Sequence, residues 1–363
     1  MRTYLMLAAF AAACGSDKAN DVTPDAAPPA CDPTTQACVY AKDVSTMTVP
    51  AGHEDEDTCQ SWTLNNPTEL WVHEIAQTNG GAYHHANWFF VPDDEFQLPD
   101  SYWSCGANHF DELVAALDGG YLFALSTQSA AEQQVLPDGA AIRIPPYSRI
   151  IGASHLLNAT DNDITTTMHL AISTIPPAAV TAKLAPARIQ YQDLHIDPNA
   201  KSTFTTECDF ATTYQHVRGG PLQYRLYYTL SHYHVLGTFQ QLEVMGGPND
   251  GQVIMRHDGF GNNAGTAIEP FVDLGALGAT GLRLTCGYDN PRDAEVGWGI
   301  GDQEMCVIAL QAVTDVGFEA DVTAGTQGDE IVSTAADGTI QHQGGCQVLG
   351  FAWDFSKPGG QGH

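Results

Sequence analysis

Histidines in strand-like segments are the residues of this chain whose types and spacing could bind a metal ion. His232 and His234 lie in residues 224–237, a segment rich in aromatic, Leu and Thr residues that predicts a β-strand. On a strand, residues i and i+2 point to the same face, so the two imidazoles could bind one ion. The same spacing fits a solvated strand face, since it permits ligation without requiring it.

A second group of histidines lies in the first half of the chain. His84 and His85 follow a Gly-Gly pair, and His155 follows three small residues. Neighbours on a regular strand point to opposite faces, so His84 and His85 could share one ion only from a strand end or a bulge. Three imidazoles with no acid nearby favour copper or zinc over magnesium or calcium. At each position, a buried neutral histidine with one hydrogen bond is the common alternative.

Met305 is the third informative residue. A lone methionine is usually an ordinary core residue. Its thioether is also a soft ligand that stabilises Cu(I). Together with His232 and His234, it would form a copper site that keeps open positions for oxygen.

Length and charge restrict the class of protein. The chain has 363 residues and a net charge of −29, from 43 acidic and 14 basic residues. This length favours two domains. The acidic surface repels nucleic acid and anionic lipid, so nucleic-acid binding is disfavoured.

The N-terminus has the features of an export signal. Residues 1–14 contain Arg2, a short apolar run and small residues before Cys14, which is typical of a lipoprotein signal with Cys14 as the lipidated residue. Residues 15–43 are acidic and rich in Pro and Ala, which predicts a flexible tether. We therefore expect a lipid-anchored protein of the bacterial periplasm or cell surface; the alternative is a secreted protein that loses Cys14 with its signal.

Cysteine number supports export. Eight cysteines remain without Cys14, and an even number in an exported protein predicts four disulfides. Eight cysteines allow 105 pairings, so the number alone leaves the pairing open. Cys31 and Cys38 are close enough in sequence to close a small loop.

Short strand-like segments separated by turn residues predict an all-β protein made of β-sandwiches. Residues 111–117 are the clearest helical segment, and the acidic residues 53–57 predict a solvated loop. A proline-rich stretch near residues 176–186 marks a domain boundary. We place the domains at residues 44–180 and 181–356, followed by a tail at 357–363.

The order of these motifs resembles one known family. The chain has the His-His pair, then a third histidine, then His-Tyr-His-Val-Leu-Gly, then Gln-Glu-Met-Cys. In this order and approximate spacing, over nearly all of residues 45–350, they resemble the copper type II, ascorbate-dependent monooxygenases. The resemblance implies two tandem jelly-roll-like domains, each with one mononuclear copper site.

The resemblance also implies roles for the ligands and partners. His84, His85 and His155 would hold an electron-transfer copper. His232, His234 and Met305 would hold the copper at which O2 binds. Ascorbate, or another one-electron donor, would reduce both ions, and a C–H bond of a small organic or peptide-like substrate would be hydroxylated. Because ligation requires neutral imidazoles, activity is expected to fall as the pH drops through the histidine range.

The same resemblance implies the disulfide pairs Cys59–Cys105, Cys208–Cys346 and Cys286–Cys306, which leaves Cys31 to pair with Cys38. It also exposes a departure. Leu230 stands where a peptide-hydroxylating relative has an arginine for the substrate carboxylate, and Val307 and Ala309 replace its polar Asn and Tyr. Apolar side chains cannot hold a carboxylate, so the expected substrate is rather apolar.

Two other functions fit the residues. One is a non-catalytic copper-binding lipoprotein that keeps the fold and the ligands. The other is a protein with structural zinc sites, which would give Met305 no role.

Overall fold

Strands dominate the computed structural model of this protein, which is all-β with 58% strand and 6% helix. The structure describes residues 31–125, 129–260, 265–299, 301–325, 328 and 330–356. The signal segment with Cys14, the first part of the tether and the tail at 357–363 lie outside the described residues.

The strands of the first half are short and lie close together in sequence. They are β1 (Cys38–Val49), β2 (Glu54–Thr63), β3 (Leu70–Thr78), β4 (Tyr83–Pro92), β5 (Tyr102–Ser104), β6 (Gly120–Leu125), β7 (Ala131–Val135), β8 (Ala140–Ile144), β9 (Ser148–Leu157) and β10 (Ile164–Thr174), with helix α1 (Glu112–Asp118) before β6.

The second half continues in the same way. Its strands are β11 (Ala182–Tyr191), β12 (His195–Ile196), β13 (Ala200–Asp209), β14 (Arg225–His232), β15 (Gly237–Met245), β16 (Val253–Asp258), β17 (Gly265–Asp273), β18 (Gly281–Asn290), β19 (Val296–Gly297), β20 (Val307–Val313), β21 (Val316–Val322), β22 (Ile331–Thr334), β23 (Ile340–Gly345) and β24 (Gln347–Ala352), with helix α2 (Phe210–Arg218) after β13.

Two sheets enclose the core of the first half. A five-stranded sheet, in the order β5-β2-β9-β4-β6, faces strands β1, β10, β3 and β8 of a larger sheet. Strand β10 shows how the core is formed. Its residues Met168, Leu170 and Ile172 alternate with more exposed residues and form its buried face. Facing residues such as Trp88 and Ile150 complete the same core.

The core of the second half also lies between two layers of strands, one of which belongs to the same larger sheet. A six-stranded sheet, in the order β16-β15-β18-β13-β23-β22, faces strands that include β11, β20 and β14. Its core contains Phe204, Leu242 and Leu284 from one sheet and Leu310 and Phe318 from the other.

The larger sheet runs through both halves. Strand β8 pairs in parallel with β11, where Ala140 lies opposite Ala182, and this joins the strands into one eleven-stranded sheet. Tyr228 and Leu230 of β14 also belong to the first core. By its contacts, the chain after Cys31 forms one compact unit. A domain boundary at residues 180 and 181 stays a prediction.

Several local predictions need correction. Residues 38–43, assigned to the tether, belong to β1, because this segment pairs with β10. The predicted acidic loop at 53–57 is mostly strand, since β2 begins at Glu54 and pairs with β9. Helix α1 agrees with the predicted segment, and Asp111 caps it. Helix α2 was not predicted, although Asp209 caps its first turn in the usual manner.

Disulfides join distant elements of the fold. Cys59 pairs with Cys105, Cys208 with Cys346 and Cys286 with Cys306, which are the pairs implied by the family resemblance. Cys31 and Cys38 are also disulfide-bonded, which gives four disulfides. Four disulfides indicate an oxidising, exported environment. Among the described residues, no helix combines the length and apolar character needed to cross a membrane.

Candidate metal centre

The paired histidines lie at the irregular start of β4. Gly81 and Ala82 both have a positive φ, 104° and 62°, and the pairing of β4 with β9 shifts register between Tyr83 and His85. This irregularity allows two neighbouring side chains to turn towards the same region. The centroids of the imidazole rings of His84 and His85 are 5.2 Å apart.

His155 of β9 lies directly across the sheet from His85. The Nδ1 atom of His155 is 3.2 Å from the Nε2 atom of His85. The rings of His155 and His84 are 4.8 Å apart. The structure therefore brings the three predicted ligands of the first half together.

An acid does accompany this set, contrary to the sequence-based expectation. Oε1 of Glu54 is 2.9 Å from Nε2 of His155. The carboxylate contacts the nitrogen that faces away from His85. It can accept a hydrogen bond from Nε2–H of His155, which leaves Nδ1 as the ligand atom. The acidic segment at the start of β2 contained this residue, but its alignment with β9 could not be deduced from spacing.

His232 and His234 do not share one regular strand. Strand β14 ends at His232, and His234 lies in the connection to β15. The connection is held by the buried carboxylate of Glu304, which accepts hydrogen bonds from the backbone N–H groups of His234 (2.8 Å) and Leu236 (2.7 Å). The two rings are nevertheless 5.3 Å apart.

The tautomer of His234 follows from its surroundings. Its Nδ1 lies 2.8 Å from the carbonyl oxygen of Gln303, an acceptor, so this nitrogen donates. The Nε2 atom then carries the lone pair, and it is buried without a hydrogen-bond partner among the described residues. A buried lone pair of this kind is suited to a metal ligand.

Met305 lies just before β20 rather than on the strand. Its Sδ is 3.2 Å from Nε2 of His232. Two contacts fix its backbone: the hydroxyl of Tyr288 donates to the carbonyl of Met305 at 2.6 Å, and the next residue forms the Cys286–Cys306 disulfide.

The two predicted ligand sets form one cluster. His85 is 5.3 Å from His232 and His84 is 5.2 Å from His234, measured between ring centroids. His85 can join either His84 and His155 or His232 and His234 as a three-ligand group, with ligand atoms within 4.8 Å of one another. The sequence placed these sets in separate domains and did not predict that they meet.

Burial favours the neutral form of three histidines of the cluster. It lowers the pKa of His84 to about 3, with further contributions from His234 and His155. Burial also lowers the pKa of His85 well below its usual value, and the pKa of His234 in the same direction. Neutral imidazoles are the form that binds metal ions. Burial raises the pKa of Glu304 to about 7, against the effect of the backbone N–H groups that it accepts from.

Positions that the resemblance connects with substrate lie side by side and are at least partly buried, since Leu230 pairs with Ala309 where β14 meets β20. Leu230 is 3% exposed and packs in the first core, and Ala309 packs against the same core. Val307 lies opposite His232 in the pairing of β14 with β20. The pattern of apolar residues is thus explained in part by packing.

No family model matches the chain, and no curated protein matches it. Among solved structures, the chain is similar to a viral protein fitted into a reconstruction of the virophage Sputnik, with a TM-score of 0.26, 7% identity and coverage of 77% of this chain and 95% of that chain.

The Cowpea mosaic virus top component has a TM-score of 0.31, 7% identity and coverage of 78% and 90%. A putative secreted protein from Parabacteroides distasonis has a TM-score of 0.21, 10% identity and coverage of 76% and 89%. These TM-scores are all below 0.5, and we draw no conclusion from them.

Proposed function

We propose that this protein is an exported copper-dependent monooxygenase that hydroxylates a C–H bond of a small organic substrate with O2 and ascorbate or another one-electron donor. The observation that carries the proposal is the cluster of five imidazoles and one thioether, contributed by β4, β9, the end of β14, the connection from β14 to β15 and the segment before β20. In this proposal, the protein consists of two jelly-roll-like sandwiches and belongs to the copper type II, ascorbate-dependent monooxygenase family.

The donor set suits copper. Imidazoles bind both Cu(I) and Cu(II), and the thioether of Met305 favours Cu(I). Among the described residues, both ring nitrogens of His84 and Nε2 of His234 are buried without hydrogen-bond partners, which is costly unless another group binds them. Two copper ions are proposed, one held by His84, His85 and His155, the other by His232, His234 and Met305.

Copper would supply one-electron chemistry with O2 at this cluster. The protein itself orients the ligands. Glu54 fixes the ring of His155, the Gln303 carbonyl fixes the ring of His234, and Glu304 fixes the backbone between His232 and Leu236. Such supporting contacts govern both affinity and reactivity at metal sites.

A second candidate function is copper binding without turnover. The specific observation in its favour is the burial of Leu230 and the partial burial of Ala309 against the first core, because these positions would otherwise be expected to face a substrate. Both functions require copper at the cluster and differ in whether oxygen is consumed.

One experiment separates the two functions. Copper-loaded protein is mixed with ascorbate and a library of apolar substrates, and O2 consumption and hydroxylated products are measured. The Met305→Leu variant keeps the side-chain volume but removes the thioether, and the matched control is Met168→Leu in the first core.

Monooxygenase activity predicts substrate-dependent O2 consumption that falls at least tenfold in Met305→Leu and is unchanged in Met168→Leu. Copper binding without any substrate-dependent turnover would favour the second function. Metal analysis that finds zinc and no copper at the cluster would contradict both.

The cellular location is part of the proposal. The disulfides are consistent with an exported protein, and the sequence of residues 1–14 suggests lipid attachment at Cys14, with plain secretion as the alternative. Replacing Cys14 by Ser and following membrane association distinguishes the two.

A further inference from the structure

A separate group of metal-ligating side chains lies in the second half of the protein. His195 is on β12, Glu330 directly precedes β22, and His342 is on β23. One ligand atom from each residue lies within 4.8 Å of the others. Glu330 and His342 lie 12 residues apart at the hairpin of β22 and β23, whereas His195 comes from a distant strand that the fold brings to this hairpin.

The carboxylate of Glu330 lies between the two imidazoles. Its Oε2 is 2.8 Å from Nε2 of His195 and 3.2 Å from Nδ1 of His342. The two rings are 4.5 Å apart and nearly perpendicular, at 87°. Two nitrogens and an oxygen therefore converge on one small region.

The hydrogen bonds of His195 indicate which of its nitrogens faces this region as an acceptor. Its Nδ1 is 3.1 Å from the carbonyl oxygen of Asp193, so Nδ1 carries the proton of the neutral ring. Nε2 then presents a lone pair to the carboxylate oxygen of Glu330. Two acceptors at this distance need either a shared proton or a metal ion between them.

Surrounding residues hold the group in place. His342 is 4% exposed and stacks on Phe204, with ring centroids 4.3 Å apart and planes at 6°. Its Nε2 is buried and has no hydrogen-bond partner in the described part of the chain. The hydroxyl of Tyr191 donates to the other carboxylate oxygen, Oε1 of Glu330, at 2.7 Å. A ligand carboxylate supported in this way is typical of metal sites.

We propose that His195, Glu330 and His342 form a binding site for a divalent cation of the zinc type. Two imidazoles and one carboxylate are a ligand set that zinc uses with a fourth, open position for water. The hard carboxylate and the absence of a thioether from the three ligands set it apart from the soft copper cluster. The ion would fasten β12 to the hairpin of β22 and β23.

The test uses full-length, metal-free protein and Zn²⁺ alone. Zinc stoichiometry and affinity are measured by calorimetry and elemental analysis in the wild type, in Glu330→Gln and in His195→Gln. Thermal unfolding is followed with and without zinc. His169→Gln is the matched control, because His169 is an exposed histidine that pairs with Asp43 outside this group.

We expect the wild type and His169→Gln to bind one more equivalent of zinc than Glu330→Gln and His195→Gln, or to bind that equivalent at least tenfold more tightly. Zinc should raise the melting temperature less in the two site variants. Because the side chain of His195 is 36% exposed, its replacement should leave the fold intact if Glu330→Gln does not fold.

Equal zinc stoichiometry, affinity and zinc-dependent stabilisation in all four proteins would overturn the proposal and leave only a hydrogen-bonded group of the carboxylate and the two imidazoles. The outcome does not depend on copper or on catalysis, since any zinc bound by the other cluster is common to every protein compared.

Discussion

Two histidines of the candidate metal cluster have a polar neighbour that fixes the orientation of the ring. Glu54 contacts the far nitrogen of His155, and the Gln303 carbonyl contacts the Nδ1 of His234. His84 lacks such a neighbour among the described residues. The cluster thus combines oriented ligands with a histidine whose polar atoms are buried and unsatisfied, an arrangement that a bound ion would stabilise.

These buried imidazoles make the stability of the metal-free protein depend on pH. The pKa of His84 is lowered from 6.5 to about 3, mainly by burial. As the pH falls below 6.5, the unfolded chain takes up the proton while the folded protein does not. The stabilisation is therefore fully present above the unfolded pKa and is lost as the pH falls towards 3, with a slope of up to about 1.4 kcal/mol per pH unit for one such group.

Chemical denaturation of metal-free protein between pH 4 and pH 8 measures this effect. We expect the free energy of unfolding to fall below pH 6.5, and to fall less steeply in His84→Gln. The control is His169→Gln, which changes an exposed histidine. A slope that is the same in all three proteins would contradict the assignment of the pH dependence to His84.

At the level of single residues, the sequence indicated the candidate ligands but not the residues that support them. All six predicted ligands lie in one cluster. Glu54 and Glu304 were not predicted as supports, because their partners are 101 and 70 residues away in sequence. Local spacing shows which side chains could share a face, but it does not show which strand will lie beside it.

At the level of elements, the sequence-based prediction was wrong at the connection between β14 and β15. Residues 224–237 were predicted as one strand, and the structure ends β14 at His232. The reason is a tertiary contact. The buried carboxylate of Glu304 accepts hydrogen bonds from two backbone N–H groups, which in a continuous strand would donate to a neighbouring strand. Because of this bend, His232 enters the cluster from the end of β14 and His234 enters it from the connection to β15.

Gly237 tests the importance of this bend. A Cβ at this position would lie 2.1 Å from the ring of Tyr233, which is buried and hydrogen-bonded to His257 and Gly259. We expect Gly237→Ala to displace the connection and to cost about 1–3 kcal/mol of stability, as overpacking usually does. Copper bound through His232, His234 and Met305 should weaken, while binding through His84, His85 and His155 should persist.

Copper titration and chemical denaturation measure the two effects. Gly52→Ala is the control, because a Cβ there meets no atom within 4 Å and its cost comes only from a positive φ of 65°. If Gly237→Ala bound copper as well as Gly52→Ala and lost no more stability, the bend would not be needed for the site.

At the level of the whole molecule, two sandwiches were predicted and two main cores are found, but one sheet runs through both. Composition and turn frequency are sufficient to predict strands and sandwiches. They carry no information about the parallel pairing of β8 with β11, which involves residues on either side of the predicted boundary. The union of the two ligand sets follows from this arrangement and could not be predicted from either half.

This continuity predicts that the two halves unfold together. Leu230 lies in the second half of the chain but packs in the first core, whereas Leu242 packs in the second core. Both are almost fully buried, so replacing either by alanine should cost about 2–5 kcal/mol. If the halves are coupled, each substitution should lower the temperature of a single calorimetric transition, with equal calorimetric and van't Hoff enthalpies. Two resolved transitions, of which Leu242→Ala shifts only one, would instead mean that the shared sheet does not couple the cores, and that the six ligands can separate without unfolding the protein.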